Sequence, residues 1–452
     1  MPPFDDVPPL DGSLLLDDQT LIRYALDNGR FVTHKPLAVL RPGSVRDIEK
    51  MIRFCRRHRI PVATRGRAHS THGQGLAAGL VIDSASLATI YAINEDTADV
   101  DAGATWLDVT RAAFTHGLRP PVLTGYIGLS VGGTLSVGGT STAVRAGTLV
   151  DHVRELEVVT GEGHAVRCSP TTNHRLFDAA LAGLGQFGVI TRATVDLVPA
   201  EPMVRTYTIR YPDNTTFFAD LRVLLNRGEL SDIWGQWFPE ESGLVQHILA
   251  AHHFDPAAPP DDTRLLRGLH APPVEVEDLP FLAWAARVDA GIELLRSAID
   301  WDNLVKPWFD VWLPESAVEH YVGEVIPTLT TRDIGPGGFV LLFPARRASI
   351  NRPLLRLPHE NADWVYLFDI LTSSALPGPD PEFAADKVLR NNRLFAQARE
   401  VGGVRYPIGS IDFNHADWVA HYGERWPDVV HAKHAYDPDS ILTPGLELEA
   451  RG

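Results

Sequence analysis

The ten residues Arg65–Gln74, RGRAHSTHGQ, follow directly on a short apolar strand, Pro61–Ala63, and place a histidine inside a glycine-bearing turn. A backbone with few bulky side chains can wrap a pyrophosphate with its N–H groups, and an imidazole at such a turn can bond to a cofactor ring. Glycine, histidine and serine also gather in loops for conformational reasons alone, so the turn gains meaning only from what accompanies it. The chain that carries it has 452 residues, too many for one ordinary core, and two domains are expected.

A second segment, Leu123–Ser141, reads LTGYIGLSVGGTLSVGGTS. It offers consecutive N–H groups and hydroxyls to phosphate oxygens, with little side-chain bulk to hold a ligand away. A third, Gly183–Arg192, GLGQFGVITR, can set the backbone of Val189 and Ile190 beside a flat ring or equally stop a helix before a core strand. No G-x-G-x-x-G lies between a strand and a helix with an acidic residue some twenty positions on, so a Rossmann site is not supported. No metal site is expected, because His69 and His72 have no cysteine or carboxylate at zinc-site spacing. The G-x-S-x-G elbow of serine hydrolases is also absent.

Charge narrows the partners. With 57 acidic and 41 basic side chains the net charge is -16, which argues against nucleic acid and anionic membrane. Two cysteines, Cys55 and Cys168, make no disulfide framework, and MPPFDDVPPLDG lacks a basic region followed by an apolar run. No stretch reaches the length of a membrane span, and a cytoplasmic protein is the expectation.

The first 200 residues alternate strand and helix patterns. Ser44 with Asp47, and Thr105 with Asp108, read as capping boxes before two amphipathic helices. Leu156 to Arg167 reads as a hairpin around Thr160-Gly161-Glu162-Gly163. From residue 201 the texture changes to longer aromatic strands, among them Trp308–Leu313, Phe339–Phe343 and Trp364–Leu371. Helical patterns at Leu282–Ala298 and Phe383–Glu400 are expected to cover one face of that sheet and leave the other for a ligand.

In this order, the three segments resemble the FAD domain of the vanillyl alcohol oxidase/p-cresol methylhydroxylase superfamily (PCMH-type), and within it most closely the cytokinin dehydrogenases. PWFDVWLP, Trp418–Trp426 and YDPDSILTPG extend the resemblance over most of the chain. It implies an α+β, two-domain PCMH-type FAD-binding fold. The FAD-binding domain would comprise residues 1–200, and an antiparallel sheet covered by helices would form the substrate domain at 201–414. Residues 415–452 would return to the first domain. His69 stands where the family bonds its flavin covalently, through the 8α-methyl group. Thr64, Gly66, Ala68, Ser70 and Gln74 match the pyrophosphate and ring contacts of the same turn, and Ser130, Ser136, Thr140 and Ile190 match further FAD contacts. A single covalent bond is implied, since no cysteine lies near Tyr126. Either O2 or another electron acceptor would reoxidise the flavin.

The sequence departs from the family where substrate is bound. Gly125 stands in place of an aspartate that takes the substrate's proton, Ile292 in place of a second carboxylate, and Leu446 in place of a glutamine near the flavin. Candidate replacement bases are Tyr126, Asp289, Glu293, Asp310, Asp369 and Tyr406, with Tyr406 placed first. Trp234, Trp237, Trp308 and Trp312 are candidates for an aromatic pocket wall, although tryptophans at alternating strand spacing are more often core. The expected activity is an FAD-dependent oxidase or dehydrogenase that takes hydride from a C–H next to an OH or NH of a small molecule. Its rivals are a cytokinin dehydrogenase with a non-standard base and a flavin-bearing protein with ligand-binding or non-redox activity.

Overall fold

The computed structural model describes residue 4, residues 6–241 and residues 243–448. The first sheet has four strands in the order Ser13–Leu15, Ala38–Arg41, Leu80–Asp83, Val62–Arg65, the last three mutually parallel. Helix Val45–His58 buries Ile48, Met51, Ile52 and Cys55 with the strand residues Leu40, Val62 and Leu80. The expected Ser44–Asp47 capping box does not form. Asp47 turns away from its own helix and accepts the N–H groups of Asp11, Gly12 and Gly43 at 2.9, 2.7 and 3.0 Å. A carboxylate that satisfies three loop donors is better used than one that satisfies a single cap.

A five-stranded antiparallel sheet follows, with Val189–Asp196 in its centre between Thr97–Asp101 and Val153–Val159. The hairpin forms as expected, with Leu156 opposite Cys168. Helix Trp106–Phe114 begins at Thr105, whose Oγ1 accepts the N–H of Asp108 at 3.1 Å. The chain end returns to the first sheet, where Ile441 O accepts Val62 N–H and Val62 O accepts Thr443 N–H, each at 2.7 Å. Both bonds tie the C-terminal segment to the strand that leads into His69.

Residues 203–405 build an antiparallel sheet of eight strands. Its centre runs Asp232–Glu240, Phe339–Arg346, Trp364–Leu371, Phe309–Pro314. One face is covered by the helices Asn214–Arg227, Val318–Val325 and Pro381–Glu400, whose Phe217, Tyr321 and Phe395 pack with Trp237, Val340, Val311 and Phe368. The segment expected to share that face, Leu282–Ala298, folds as two helices, Phe281–Ala285 and Arg287–Ile299. The second supplies Val288, Gly291, Ile292 and Leu295 to the cavity on the opposite side. Apolar spacing marks a helix's buried stripe without saying which layer it meets.

Register decides what that cavity sees. Gln236 stands opposite Leu341, Leu341 opposite Asp369, and Asp369 opposite Asp310. Directly opposed residues share a face, and so do residues two apart on a strand. The same face therefore presents Trp234, Phe238, Phe339, Phe343, Leu367, Leu371 and Trp308, all of which line the cavity. Gln236, Asp369 and Asp310 are the polar members of this apolar wall. Trp237, three residues from Trp234, falls on the helix-covered face and is fully buried against Phe217.

Candidate functional site

Between this wall and the first two sheets lies a cavity of about 860 Å³, near the upper end of the ~300–1,000 Å³ usual for ligand pockets. Thr64, Gly66, Ala68, His69, Ser70 and Gln74 line it from the turn, Ser130, Ser136 and Thr140 from the glycine segment, and Ile190 and Tyr406 from two further segments. Residues from Thr64 to Tyr406 thus meet around one space.

The turn is held by its backbone and its neighbours. Ala68 adopts a left-handed φ of 50°, and its carbonyl accepts Asn28 N–H at 2.8 Å. A left-handed alanine costs roughly 1–2 kcal/mol, a strain located one residue before His69. Gln74 spends its amide on the carbonyls of Ile408 and Gly409, both at 3.0 Å, and its oxygen on His72 N–H at 2.7 Å. It acts as a clamp between the turn and the bend at residues 407–409. His69 lies between Tyr126 and Trp308, with ring centroids at 5.2 and 5.1 Å, the tryptophan edge-on. Burial, with Lys306 and Arg296 adding positive charge, pushes its imidazole down to about 4. The ring is neutral at physiological pH, with a lone pair free to form a bond.

The glycine segment makes a cradle. A Cβ at residue 66 would collide with Ser130 Oγ, so only glycine lets the turn come this close. Ser130 Oγ and Thr140 Oγ1 are buried and have no hydrogen-bond partner among the described residues. Buried hydroxyls left unpaired next to a cavity call for acceptors within it, as the oxygens of a dinucleotide would supply. Ser136 differs, since its hydroxyl donates to Gly132 O at 2.8 Å. The donors, the bare backbone and the neutral imidazole fit an FAD molecule.

On the sheet wall, Tyr406 is 4% exposed and its phenol oxygen accepts Gly139 N–H at 3.1 Å. Burial pushes it up to about 12, so the phenol keeps its proton at neutral pH and is suited to donate. Asp310 and Asp369 are 1% and 5% exposed and face each other across adjacent strands. Burial pushes Asp310 up to about 7, and burial together with the charge of Asp310 raises Asp369 well above the carboxylate range. Two cations that the sequence pattern did not single out bear on this region, Arg287 in the cavity lining and Lys306 through its charge on His69. Arg287 lies between Trp284 and Trp234, 4.4 and 5.1 Å from their ring centroids. Lys306, wholly buried, donates to the carbonyls of Trp301 and Leu304 at 2.8 Å, and burial lowers it to about 7.

The three departures line the same space: Gly125, Ile292 and Leu446. A Cβ at residue 125 would meet only Val288 Cγ2, at 3.7 Å. Asp289 and Glu293 are spent elsewhere. Asp289 accepts Ile127 N–H at 3.1 Å and steadies the loop after Gly125, while exposed Glu293 pairs with Arg296 at 2.5 Å. No cluster of three or more potential metal ligands occurs among the described residues, and no helix among them is long and apolar enough to cross a membrane.

Residues 36–169 match a family model described as an FAD binding domain, and residues 265–448 match one described as cytokinin dehydrogenase 1, FAD and cytokinin binding. The chain is similar to a protein of Rhodococcoides fascians named uncharacterized oxidoreductase ORF5 in fasciation locus, at 34% identity over 96% of this chain and 98% of that one. It is also similar to cytokinin dehydrogenase 1 of Arabidopsis thaliana, at 31% identity over 97% of this chain and 83% of the relative. A third relative, cytokinin dehydrogenase 9 of Oryza sativa subsp. japonica, is 32% identical over 97% and 90% of the two chains.

Proposed function

Because the chain belongs to the cytokinin dehydrogenase-like FAD-binding oxidoreductases of the PCMH-type superfamily, we propose that it carries its flavin covalently on His69 and oxidises a C–H next to an N–H or O–H of a small molecule. The observation that carries this reading is the single cavity that joins the His69 turn and the unpaired Ser130 and Thr140 hydroxyls to the polar row of the sheet. FAD, when bound, supplies a two-electron acceptor for hydride, and O2 or another acceptor reoxidises it.

The residues divide the remaining work. Gly66 and Ser130 admit and bond the pyrophosphate, and Tyr126 and Trp308 fix the plane of the imidazole. Trp234, Phe339, Phe343 and Leu367 exclude water from the substrate side. Tyr406 holds its proton at the phenol oxygen and offers it as a hydrogen bond to a substrate heteroatom.

Acid precipitation of the purified protein tests the attachment: a yellow pellet, with flavin mass on the peptide that contains His69, is expected. Flavin wholly in the supernatant overturns it. Anaerobic mixing with a panel of primary amines and alcohols tests the reaction, and bleaching of the flavin by at least one class is expected.

A cytokinin substrate is the second reading, favoured by the match of residues 265–448. Anaerobic mixing with isopentenyladenine separates the two, since unbleached flavin excludes that substrate.

A further inference from the structure

We propose that Asp310 and Asp369 are one functional unit, a carboxyl–carboxylate pair holding a single proton, and that this pair takes the proton from the substrate's N–H or O–H in place of the acid absent at Gly125. The inference rests on the oxidative reading above.

The pair is built by register. Asp310 and Asp369 are direct cross-strand partners on Phe309–Pro314 and Trp364–Leu371, on the face that lines the cavity. Buried carboxylates are ordinarily matched by a cation or several N–H donors. Here both oxygens of Asp310 and Oδ1 of Asp369 lack a donor among the described residues. Arg405, the cation whose charge reaches Asp310, directs its guanidinium to Gly409 O and over the rings of Phe413 and Trp418. Two adjacent buried carboxylates with no cation hydrogen-bonded to either resist ionising together, and one proton shared between them relieves the repulsion. Gly409 leaves the room, because a Cβ there would collide with Asp310 Oδ2.

Position gives the pair its task. Two residues before Asp310, Trp308 touches His69, and Tyr406, whose N–H donates to Asp310 O at 3.1 Å, touches Gly139 with its phenol. The pair is thus bracketed by the proposed flavin attachment on one side and the glycine cradle on the other. A unit with one proton and one negative charge can accept from an amine or hydroxyl while its other oxygen donates. As the substrate oxidises, its N–H or O–H bond breaks and an O–H bond forms on the ionised carboxylate. The electron pair left behind becomes the second bond of C=N or C=O as hydride departs to the oxidised flavin. The pair, now doubly protonated, returns one proton to water.

The titrating and charged groups coupled to the pair are Arg405, whose charge reaches Asp310, and Tyr406, which feels both carboxyls; Arg287 and His69 line the same cavity, and Lys306 acts on His69. The test uses the flavin-loaded protein and its Asp310→Asn, Asp369→Asn and double variants, each checked for flavin content and melting temperature. Infrared spectra across pH 5–9 are expected to show one buried protonated carboxyl that titrates near neutrality. It should titrate at lower pH in each single variant and vanish in the double variant. Anaerobic reduction by a substrate that bleaches the wild type is expected to slow ~100-fold or more in either single variant, with the neutral inflection of the rate lost. A wild type without the titrating band, or a double variant that keeps it, overturns the shared proton. Variants that reduce at the wild-type rate with the wild-type pH profile overturn the role in proton transfer and leave the oxidoreductase reading standing. A wild type that no amine or alcohol reduces sinks that reading and the proton-transfer role with it, while the infrared band separately decides whether the pair holds a proton.

Discussion

Ser130 Oγ occupies the space that a side chain at Gly66 would need, so the His69 turn and the glycine segment approach each other closely there. The hydroxyl is buried and has no hydrogen-bond partner among the described residues. Any residue larger than glycine at 66 must push Ser130 aside or move the turn.

Gly66→Ala is accordingly expected to fold, because the clash lies at a cavity wall, yet to lose most of its bound FAD. Flavin absorbance per protein at 450 nm, as an order-of-magnitude comparison for a site stripped of one buried hydroxyl contact worth ~1–3 kcal/mol, should fall several-fold. Gly66→Ala/Ser130→Gly should recover part of that loss by restoring space. A single variant with wild-type flavin content contradicts the close approach.

His69→Ala is expected to bind FAD that acid releases completely. In the wild type, attachment should proceed at similar rates from pH 8 to pH 5 and slow below, since burial and the neighbouring cations keep the imidazole neutral down to about 4. Incubation of apoprotein with FAD, followed by acid precipitation at each pH, measures this. A rate that falls through pH 6.5 would mean that His69 titrates as an exposed histidine does.

The acidic pair also shapes stability. Both carboxyls are raised in the folded state, so the folded protein binds more protons than the unfolded chain between the ordinary carboxylate value of 3.8 and about 7. Stability from this source is therefore present at low pH and lost as pH rises through that window. Asp310→Asn removes the Asp310 titration and lowers that of Asp369. Its melting temperature relative to wild type is expected to rise from pH 5 to pH 8, by several degrees for a difference on the order of a few kcal/mol. A constant difference across that range would show that Asp310 is ionised throughout.

Trp234 and Trp237 separate wall from core. Trp237→Ala removes a fully buried ring that packs on Phe217 and is expected to cost ~3–5 kcal/mol, seen in chemical denaturation. Trp234→Leu, on the cavity face, should leave stability nearly unchanged and raise the substrate concentration for half-maximal flavin reduction. Equal effects on stability would contradict the alternation of the strand.

Much of this was legible in the sequence, and the physics explains where legibility ended. The turn, the glycine segment and the hairpin are local, and their residues meet as their spacing implies. Trp234 and Trp237 were read together as wall or core candidates, and their odd separation, which puts them on opposite faces of a strand that alternates with period two, decides between the two roles. What Asp310 faces was not legible, since 59 positions separate it from Asp369 and cross-strand register follows from the pairing of whole strands. The same holds for Asp47, whose three donors come from loops that only the folded chain brings beside it. The cavity helix at Arg287–Ile299 showed its apolar stripe, yet the choice between two layers of the protein depends on connections outside the helix.

Gly125 offers the most direct test of how the missing acid is replaced. Its backbone is not left-handed, and a Cβ there meets Val288 Cγ2 at 3.7 Å, an ordinary contact. Gly125→Ala is therefore expected to leave folding, flavin content and reduction rate within about twofold of wild type, roughly the ±0.5 kcal/mol of an unstrained substitution. Gly125→Asp places a carboxyl in the same cavity as Asp310 and Asp369. Like charge in a shared low-dielectric space should raise all three further. The neutral inflection of the reduction rate is then expected to move to higher pH in Gly125→Asp, measured by anaerobic stopped-flow mixing. If Gly125→Asp also accelerates bleaching by isopentenyladenine, a carboxyl at residue 125 can take that substrate's proton. An inflection that stays in place shows that residue 125 and the acidic pair do not share the substrate's proton.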